Sequence, residues 1–292
     1  MTTLLIDMNP VVIAITSAIQ SNPKTRQDFT LSFVRHVVLS SIKNTRNQFV
    51  AAPQLETVLC CDAKTNWRKE VYPHYKANRK KIRQSMVFPW TEFSEYYEIV
   101  KQELIQVLPY KILQIERCEA DDIIAVLTHT LTSEGKKCII FSADSDFAQL
   151  HNSSVIQYSQ MKRGWVNWPN PQAELLRKII SGDTGDGVPN VLSDDDTFVN
   201  PDKRQKQMRA ENLKMLVEAV GEGKEDTLPI EIQTNIARNR KLIQLNKDSI
   251  PEDIWSEIVA KYTEYQVPRA DLYKYLSEHN LKLIMKDTRG LI

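Results

Sequence analysis

Short apolar runs that stop at a carboxylate recur along this chain, and each is followed by a stretch with helical spacing. Residues 3–6 read as a strand closed by Asp7, after which Pro10 opens a helix predicted over 11–20. An amphipathic helical pattern over 30–46 leads to a second strand at 57–61, closed by Asp62. Helical periodicity over 91–108, a strand at 110–115 and a helix over 119–133 follow, with Gly135 as the stop signal. The third apolar run, IIFSADSDF at 139–147, ends on Asp144 and Asp146. Side chains two apart in extended chain point the same way, so both carboxylates face one spot. Beyond it come a short helix, a hairpin pairing 155–158 with 166–168 around Arg163-Gly164, and a helix over 171–180. Residues 193–204 are polar and irregular; helices are predicted over 207–220, 229–246, 251–265 and 269–279.

Strands alternating with helices predict an α/β fold, a largely parallel sheet covered on both faces, with functional groups beyond the carboxyl ends of the strands. That rule brings Asp7, Asp62, Asp144 and Asp146 to one rim. The first turn of the 119–133 helix reaches the same rim and adds Glu119, Asp121 and Asp122, more acid than helix capping needs. The turn SGDTGDGVPNV at 181–191 adds Asp183 and Asp186 among glycines. Any one of these acids alone reads as an ordinary cap or turn; several strand ends converging do not. Like charges held so close repel and resist dehydration unless a cation sits between them. Oxygen donors without nearby His or Cys favour magnesium or manganese over zinc, and an acid set of this size suits two divalent ions.

Composition refines this picture. The 292 residues carry 38 Lys plus Arg against 37 Asp plus Glu, and this near-neutral average conceals eight basic residues between Lys64 and Arg83 opposed only by Glu70. That segment also holds Trp67, Tyr72 and Tyr75 and is interrupted by Pro73, which predicts a mobile helical loop rather than a core element. Cations suit a polyanionic backbone and aromatic rings suit unstacked bases, so Arg68, Lys69, Tyr72, Tyr75, Lys76, Arg79 and Lys80 are candidate nucleic-acid contacts. Lys76 and Arg79, three apart, would share a helix face and meet one phosphate. A basic segment beside an acidic rim points to a metal-dependent nuclease. Hydrophobic content of 42% predicts a globular chain. No apolar run has membrane length and the N-terminus lacks a signal-peptide pattern, so a cytoplasmic location is expected. The cysteines, Cys60, Cys61, Cys118 and Cys138, contain no CxxC pair and read as buried reduced thiols.

The order Asp7, CCD at 60–62, HYKANRKK at 74–81, CEADD at 118–122, SADSD at 142–146 and GDTGDGVP at 182–189 resembles the structure-specific 5′ nucleases. That family includes flap endonucleases and the 5′-nuclease domains of bacterial DNA polymerase I. The WRKE entry to the basic segment and the helical C-terminal region look most like the T-even-phage ribonuclease H branch. The motifs span residues 1 to about 190.

The resemblance implies a PIN-like catalytic domain over 1–182 with a helical arch at about 64–90, and a helical DNA-binding region over 183–292. It implies 5′–3′ exonuclease and flap endonuclease activity on RNA-DNA hybrid or DNA with 5′ ends or flaps, such as removal of lagging-strand RNA primers in phage DNA replication. Two Mg2+ ions are implied, with Mn2+ as substitute. Asp7, Asp62, Asp121 and Asp144 would hold the first; Glu119, Asp146, Asp183 and Asp186 would serve the second, with Asp122 a further acidic position. Lys76 and Arg79 match the basic pair that contacts the scissile phosphate, and Tyr72 or Tyr75 would stack on a terminal base. A monomer is expected, with a single-stranded-DNA-binding protein as its partner. The last motif departs from the family pattern at Gly187 and Asn190 and continues into Asp194, Asp195 and Asp196, so a potassium-holding helix-hairpin-helix is not expected.

Three alternatives compete. A non-catalytic flap-binding relative would lack an essential carboxylate, and none is missing. A haloacid-dehalogenase-type phosphotransferase would place an acid where this chain has Asn9. A small PIN ribonuclease would need neither the basic segment nor the helical C-terminal region.

Overall fold

In a computed structural model that describes residues 1–49, 55–79, 83–84, 86, 88–269 and 271–291, six strands form one sheet in the order β3-β2-β1-β4-β5-β6. Strands β1 (Thr2–Asp7), β2 (Leu55–Cys61), β3 (Lys111–Gln114), β4 (Lys137–Phe141) and β5 (Val155–Ser159) run parallel; β6 (Gly164–Val166) closes the edge antiparallel to β5. The hairpin expected at 155–168 is present, with its second strand two residues earlier than the alternation suggested.

Alternation along the central strands divides the core. Leu4, Ile6, Leu59, Cys61 and Phe141 face helices α1 (Met8–Ser21), α2 (Leu31–Asn47) and α4 (Trp90–Ile105). Leu5, Val58, Cys60 and Ile140 face helices α5 (Ala120–Ser133) and α9 (Glu252–Glu264). The adjacent cysteines thus lie on opposite faces, both as buried free thiols, as small apolar side chains would. Burial on both faces is what a parallel sheet requires. Thr30 caps α2 by accepting from the Phe33 N–H at 3.2 Å, and Gly135 adopts φ +75° just past α5.

A third apolar cluster joins α6 (Pro171–Ser181) to α7 (Ala210–Gly221) and α8 (Ile230–Ile243), through Ile179, Ile180, Leu216, Ile236 and Leu242. The last two helices, α10 (Leu272–Glu278) and α11 (Lys282–Met285), return to the first face of the sheet, where Tyr275, Leu276 and Ile284 join its core. Helix α11 is a short element that sequence periodicity did not reveal. Among the described residues no helix is long and apolar enough to cross a membrane.

Gly182 ends α6 at φ +69°, and a Cβ there would meet Val188 O at 2.4 Å and Pro189 O at 2.5 Å. Neither oxygen can yield without moving the turn that carries Asp183. Gly182→Ala is therefore expected to destabilise the chain by about 1–3 kcal/mol from backbone conformation alone, read as a lowered urea midpoint at unchanged m-value.

Candidate active site

Because β2, β1 and β4 are neighbours, their carboxyl ends place Asp62, Asp7 and Asp144 side by side. Asp7 occupies the N-cap position of α1 yet makes no capping bond there. Its buried carboxylate instead accepts from Ser142 Oγ at 2.9 Å. Asp62 accepts from Asn9 Nδ2 at 2.6 Å and from the Ala120 N–H at 2.8 Å, which ties the start of α5 to the rim. Asp144 opens to solvent; its backbone is held by Ser142 Oγ and by Gln157, whose amide donates to Asp144 O at 2.6 Å. Asp121 completes the group from the first turn of α5, and no donor among the described residues reaches its carboxylate.

Electrostatics records how close these acids are. Burial raises the Asp7 carboxyl well above its ordinary range, Asp62 and Asp144 push it further, and only Ser142 and Lys76 oppose them. Asp121 is raised well above that range by burial, then by Asp7, Asp144 and Glu119. Burial also raises Asp62, against its bond from Ala120. Asp144 is ringed by protein despite its opening to solvent; this dehydration raises it, with Asp186 and Asp183 adding and Lys178 opposing.

A second set of acids already has cations. Glu119 pairs with Lys76 and, at 3.3 Å, with Arg68; Asp186 pairs with Arg79 at 2.5 Å and lies 3.6 Å from Lys76. Burial works to raise both carboxyls, yet Lys76 with Arg68, and Lys76 with Arg79, hold them below the usual value. Lys178, in the last turn of α6, bridges Asp146 and Asp183, the latter at 2.8 Å.

The basic segment differs from expectation. Through Arg79 it is fastened rather than loose. Lys76 has φ +57°, so Lys76 and Arg79 do not share a helix face; a left-handed residue turns both toward Asp186. The Lys76 N–H donates to Asp186 O at 2.7 Å, Asn78 Nδ2 to Thr184 O at 2.6 Å and Arg79 Nε to Gly185 O at 3.0 Å. Gly187, at φ +71°, lets His74 O approach to 3.1 Å of where a Cβ would stand. The segment from His74 to Arg79 thus grips the GDTGDG turn.

Several candidate contacts are corrected. Tyr72 and Tyr75 are buried, the first bonded to Asp195 O and the second within 2.9 Å of Glu119 and 2.7 Å of Asp186, so neither ring can stack on a base as placed. Arg68 is buried against Asp122, whose fully enclosed carboxylate accepts from Arg68, from Trp67 Nε1 and from the Glu119 N–H. Arg68 therefore does not face nucleic acid, and Asp122 is enclosed with it rather than open at the rim. Lys69 remains exposed beside the site, and Lys80 lies outside the described residues. Lys64, Lys69, Lys76, Arg79, Asp62 and Glu119 line a cleft of about 830 Å³ with one wall from Phe88, Trp90 and Tyr97.

Sequence reasoning missed Ser142, Asn9, Gln157 and Lys178. Lys178 had a weak signal as a base one turn before Asp183, hidden by the usual reading of a lysine at a helix C-terminus. Between Gly182 and Arg209 the described residues form no helix or strand. Asn190 is instead a buried brace, donating to Lys206 O at 2.7 Å while its N–H donates to Gln205 Oε1 at 3.0 Å.

Asp7, Asp62, Asp121 and Asp144 offer only oxygen ligands, raised by burial and by neighbouring carboxylates, which suits a hard divalent cation. Among the described residues no three His, Cys, Asp or Glu side chains already stand in one ion-holding cluster. Lysines pair with Glu119, Asp186, Asp146 and Asp183.

The chain is similar along most of its length to known proteins. The family described as 5′–3′ exonuclease, N-terminal resolvase-like domain, matches residues 2–174, and the T4 RNase H C-terminal family matches residues 170–289. Ribonuclease H of Enterobacteria phage T4 is 34% identical over 277 residues, 92% of this chain and 90% of that protein. The flap endonuclease Xni of Psychromonas ingrahamii is 34% identical over 107 residues, 35% of this chain and 36% of that one. Among solved structures, the 5′-exonuclease of T5 with bound zinc superposes with a TM-score of 0.65 at 16% identity, covering 91% of this chain and 99% of that one.

The four raised carboxyls set a pH dependence. In the unfolded chain they titrate near their ordinary value of 3.8, in the folded chain higher. Between those values the folded state binds more protons, so with chelator present stability falls as pH rises through that window. Asp121→Asn removes one repelling charge and is expected to raise the melting temperature at pH 7 in chelator by about 2–4 °C, on the order of 1 kcal/mol for a chain of this size, and to flatten the pH trend. Thermal melts at several pH values measure both.

With two family matches spanning residues 2–289 and a rim of acids where that fold places its strand ends, this chain belongs to the 5′–3′ exonuclease family, in the branch of T4 ribonuclease H.

Proposed function

We propose that this chain is a divalent-metal-dependent 5′ nuclease that hydrolyses phosphodiesters in RNA-DNA hybrid and DNA carrying 5′ ends or flaps, with Mg2+ as its ion and Mn2+ as substitute. The observation that carries this reading is the group of dehydrated, mutually repelling carboxylates, Asp7, Asp62, Asp121 and Asp144, beside a cleft lined by Lys69, Lys76 and Arg79. Divalent ions supply at such a rim the activation of water and the charge compensation that in-line displacement at phosphorus needs. Asp7, Asp62, Asp121 and Asp144 would hold one ion, and Glu119, Asp146, Asp183 and Asp186 a second.

The chain's own cations complete the chemistry. Lys76 and Arg79 reach the cleft from the same turn and are now paired with acids. A phosphate entering the cleft competes for both, and a positioned cation is worth most where charge develops on phosphoryl oxygens. Lys69 and Lys64 extend the positive wall along the backbone path, which reads charge and geometry rather than base identity. In this reading the chain acts as a monomer in the host cytoplasm during phage DNA replication, removing lagging-strand RNA primers with a single-stranded-DNA-binding protein as its partner.

Incubating the protein and magnesium with a 5′-labelled flap, a nicked RNA-DNA hybrid and a blunt duplex should give short 5′ products from the first two; equal degradation in excess chelator would sink the reading. Asp144→Asn should abolish cleavage while leaving substrate binding within about threefold of the unchanged chain, as read by anisotropy. Lys76→Ala should lower the single-turnover rate by about 10²–10³-fold with a smaller change in affinity; an equal rate at saturation would remove Lys76 from the chemistry.

A further inference from the structure

Arg68 and Asp122 lie together in the interior, their side chains 2% and 0% exposed, where three parts of the molecule meet. Arg68 Nη2 donates to Asp122 Oδ1 at 2.7 Å and Nη1 to Oδ2 at 3.0 Å. Arg68 Nε donates to Leu242 O at 2.9 Å in the last turn of α8, and Nη1 also reaches Glu119 Oε2 at 3.3 Å. The guanidinium sits over the Trp67 ring, 4.5 Å from its centroid. A dehydrated ion pair is a poor source of stability, because the cost of removing both charges from water offsets most of their attraction. Its place beside the acids calls for another account.

We propose that the Arg68–Asp122 pair is a positioning unit for the site: it sets the first turn of α5, and with it Glu119 and Asp121, against the base of the basic segment and the C-terminal helices. The inference rests on reading the rim as the place of phosphodiester cleavage. Glu119 is held at three atoms. Its N–H donates to Asp122 at 3.0 Å, Oε2 lies against Arg68 and the Tyr75 hydroxyl, and Oε1 against Lys76. The single proton of Tyr75 serves either Glu119 or Asp186, which ties an acid at the start of α5 to one from the turn after α6. Asp121 stands between Glu119 and Asp122 on the same turn and feels the charge of Asp7, so a shift of that turn changes its placement against Asp7.

The test separates positioning from packing. Arg68→Met with Asp122→Leu replaces the ion pair by apolar side chains of similar volume, a change that often costs little stability, and it frees the Glu119 backbone and carboxylate. On the full-length chain with magnesium and a 5′-labelled flap, the double variant should keep its melting temperature within about 5 °C, lose at least about tenfold in kcat and keep KM within about threefold. A folded double variant with an unchanged kcat, or one whose loss lies wholly in KM, overturns the inference. If the double variant does not fold, Asp122→Asn carries the test: a kcat-selective loss supports positioning, and a kcat equal to that of the unchanged chain overturns it. A wild-type chain that cuts none of these substrates removes the reading of the site and, with it, this role.

Discussion

Repulsion among carboxylates at the sheet rim is the constraint to which the rest of the fold answers. Neighbouring strands lie about 4.8 Å apart, so a parallel β2-β1-β4 core whose strands each run into an aspartate must crowd Asp62, Asp7 and Asp144. Few protein groups relieve this: Ser142 for Asp7, Asn9 with the Ala120 N–H for Asp62, the Asp146 N–H for Asp144, and the charges of Lys76 and Lys178. Burial and mutual charge outweigh those bonds and keep the carboxyls high. Such a site persists only because the apolar layers on both faces of the sheet hold the strand ends where they are.

The acids divide into two electrostatic classes. Asp7, Asp62, Asp121 and Asp144 are raised, and nothing in the chain offsets their charge in full. Glu119 and Asp186 are lowered, because Lys76, Arg68 and Arg79 stand against them. The first class calls for charge from outside the chain. The second has counter-ions that a polyanion can draw away, since the phosphate and the carboxylate compete for the same ammonium and guanidinium. Substrate binding and exposure of the second class of acids are thereby linked through Lys76 and Arg79.

How far the sequence could be read follows from what each residue depends on. Strand ends were legible because a run such as IIF before SADSD has one register in a buried parallel strand, and the rim positions of Asp7, Asp62 and Asp144 followed from topology. The longer helices lie where periodicity predicts them, with boundaries off by a few residues where caps rather than periodicity decide them, and the one-turn α11 escapes it. The basic segment was misread in part because composition records charge but not partner. Arg68 and Lys69 are adjacent and look alike in sequence, yet one is enclosed by Asp122, Trp67 and Leu242 O while the other meets solvent. Asp121 and Asp122 diverge likewise, since neighbours on a helix point about 100° apart and only one can face the rim. Tyr75 was read as a base-stacking ring, although its hydroxyl is spent on two carboxylates from distant segments, information that no local pattern contains.

The same reasoning explains how an irregular stretch can hold two of the acids in place. Between Gly182 and Arg209 the backbone makes no helix or strand, so its amides and carbonyls need other partners if they are buried. The chain supplies them from side chains of α8: Asn239 and Arg238 donate to Pro189 O at 2.9 Å and 3.0 Å, and Asn239 also reaches Ile179 O in α6 at 2.7 Å. Asp183 and Val188 exchange backbone bonds of 2.8 Å in both directions, which closes the loop that carries Asp186. From the other side the segment from His74 to Arg79 fastens the same loop. Asp183 and Asp186 are thus held between two bodies, neither of which is the sheet. Their distance from the rim acids is set by how those bodies dock, and the enclosed Arg68, bonded at once to α5 and to α8, sits at that joint.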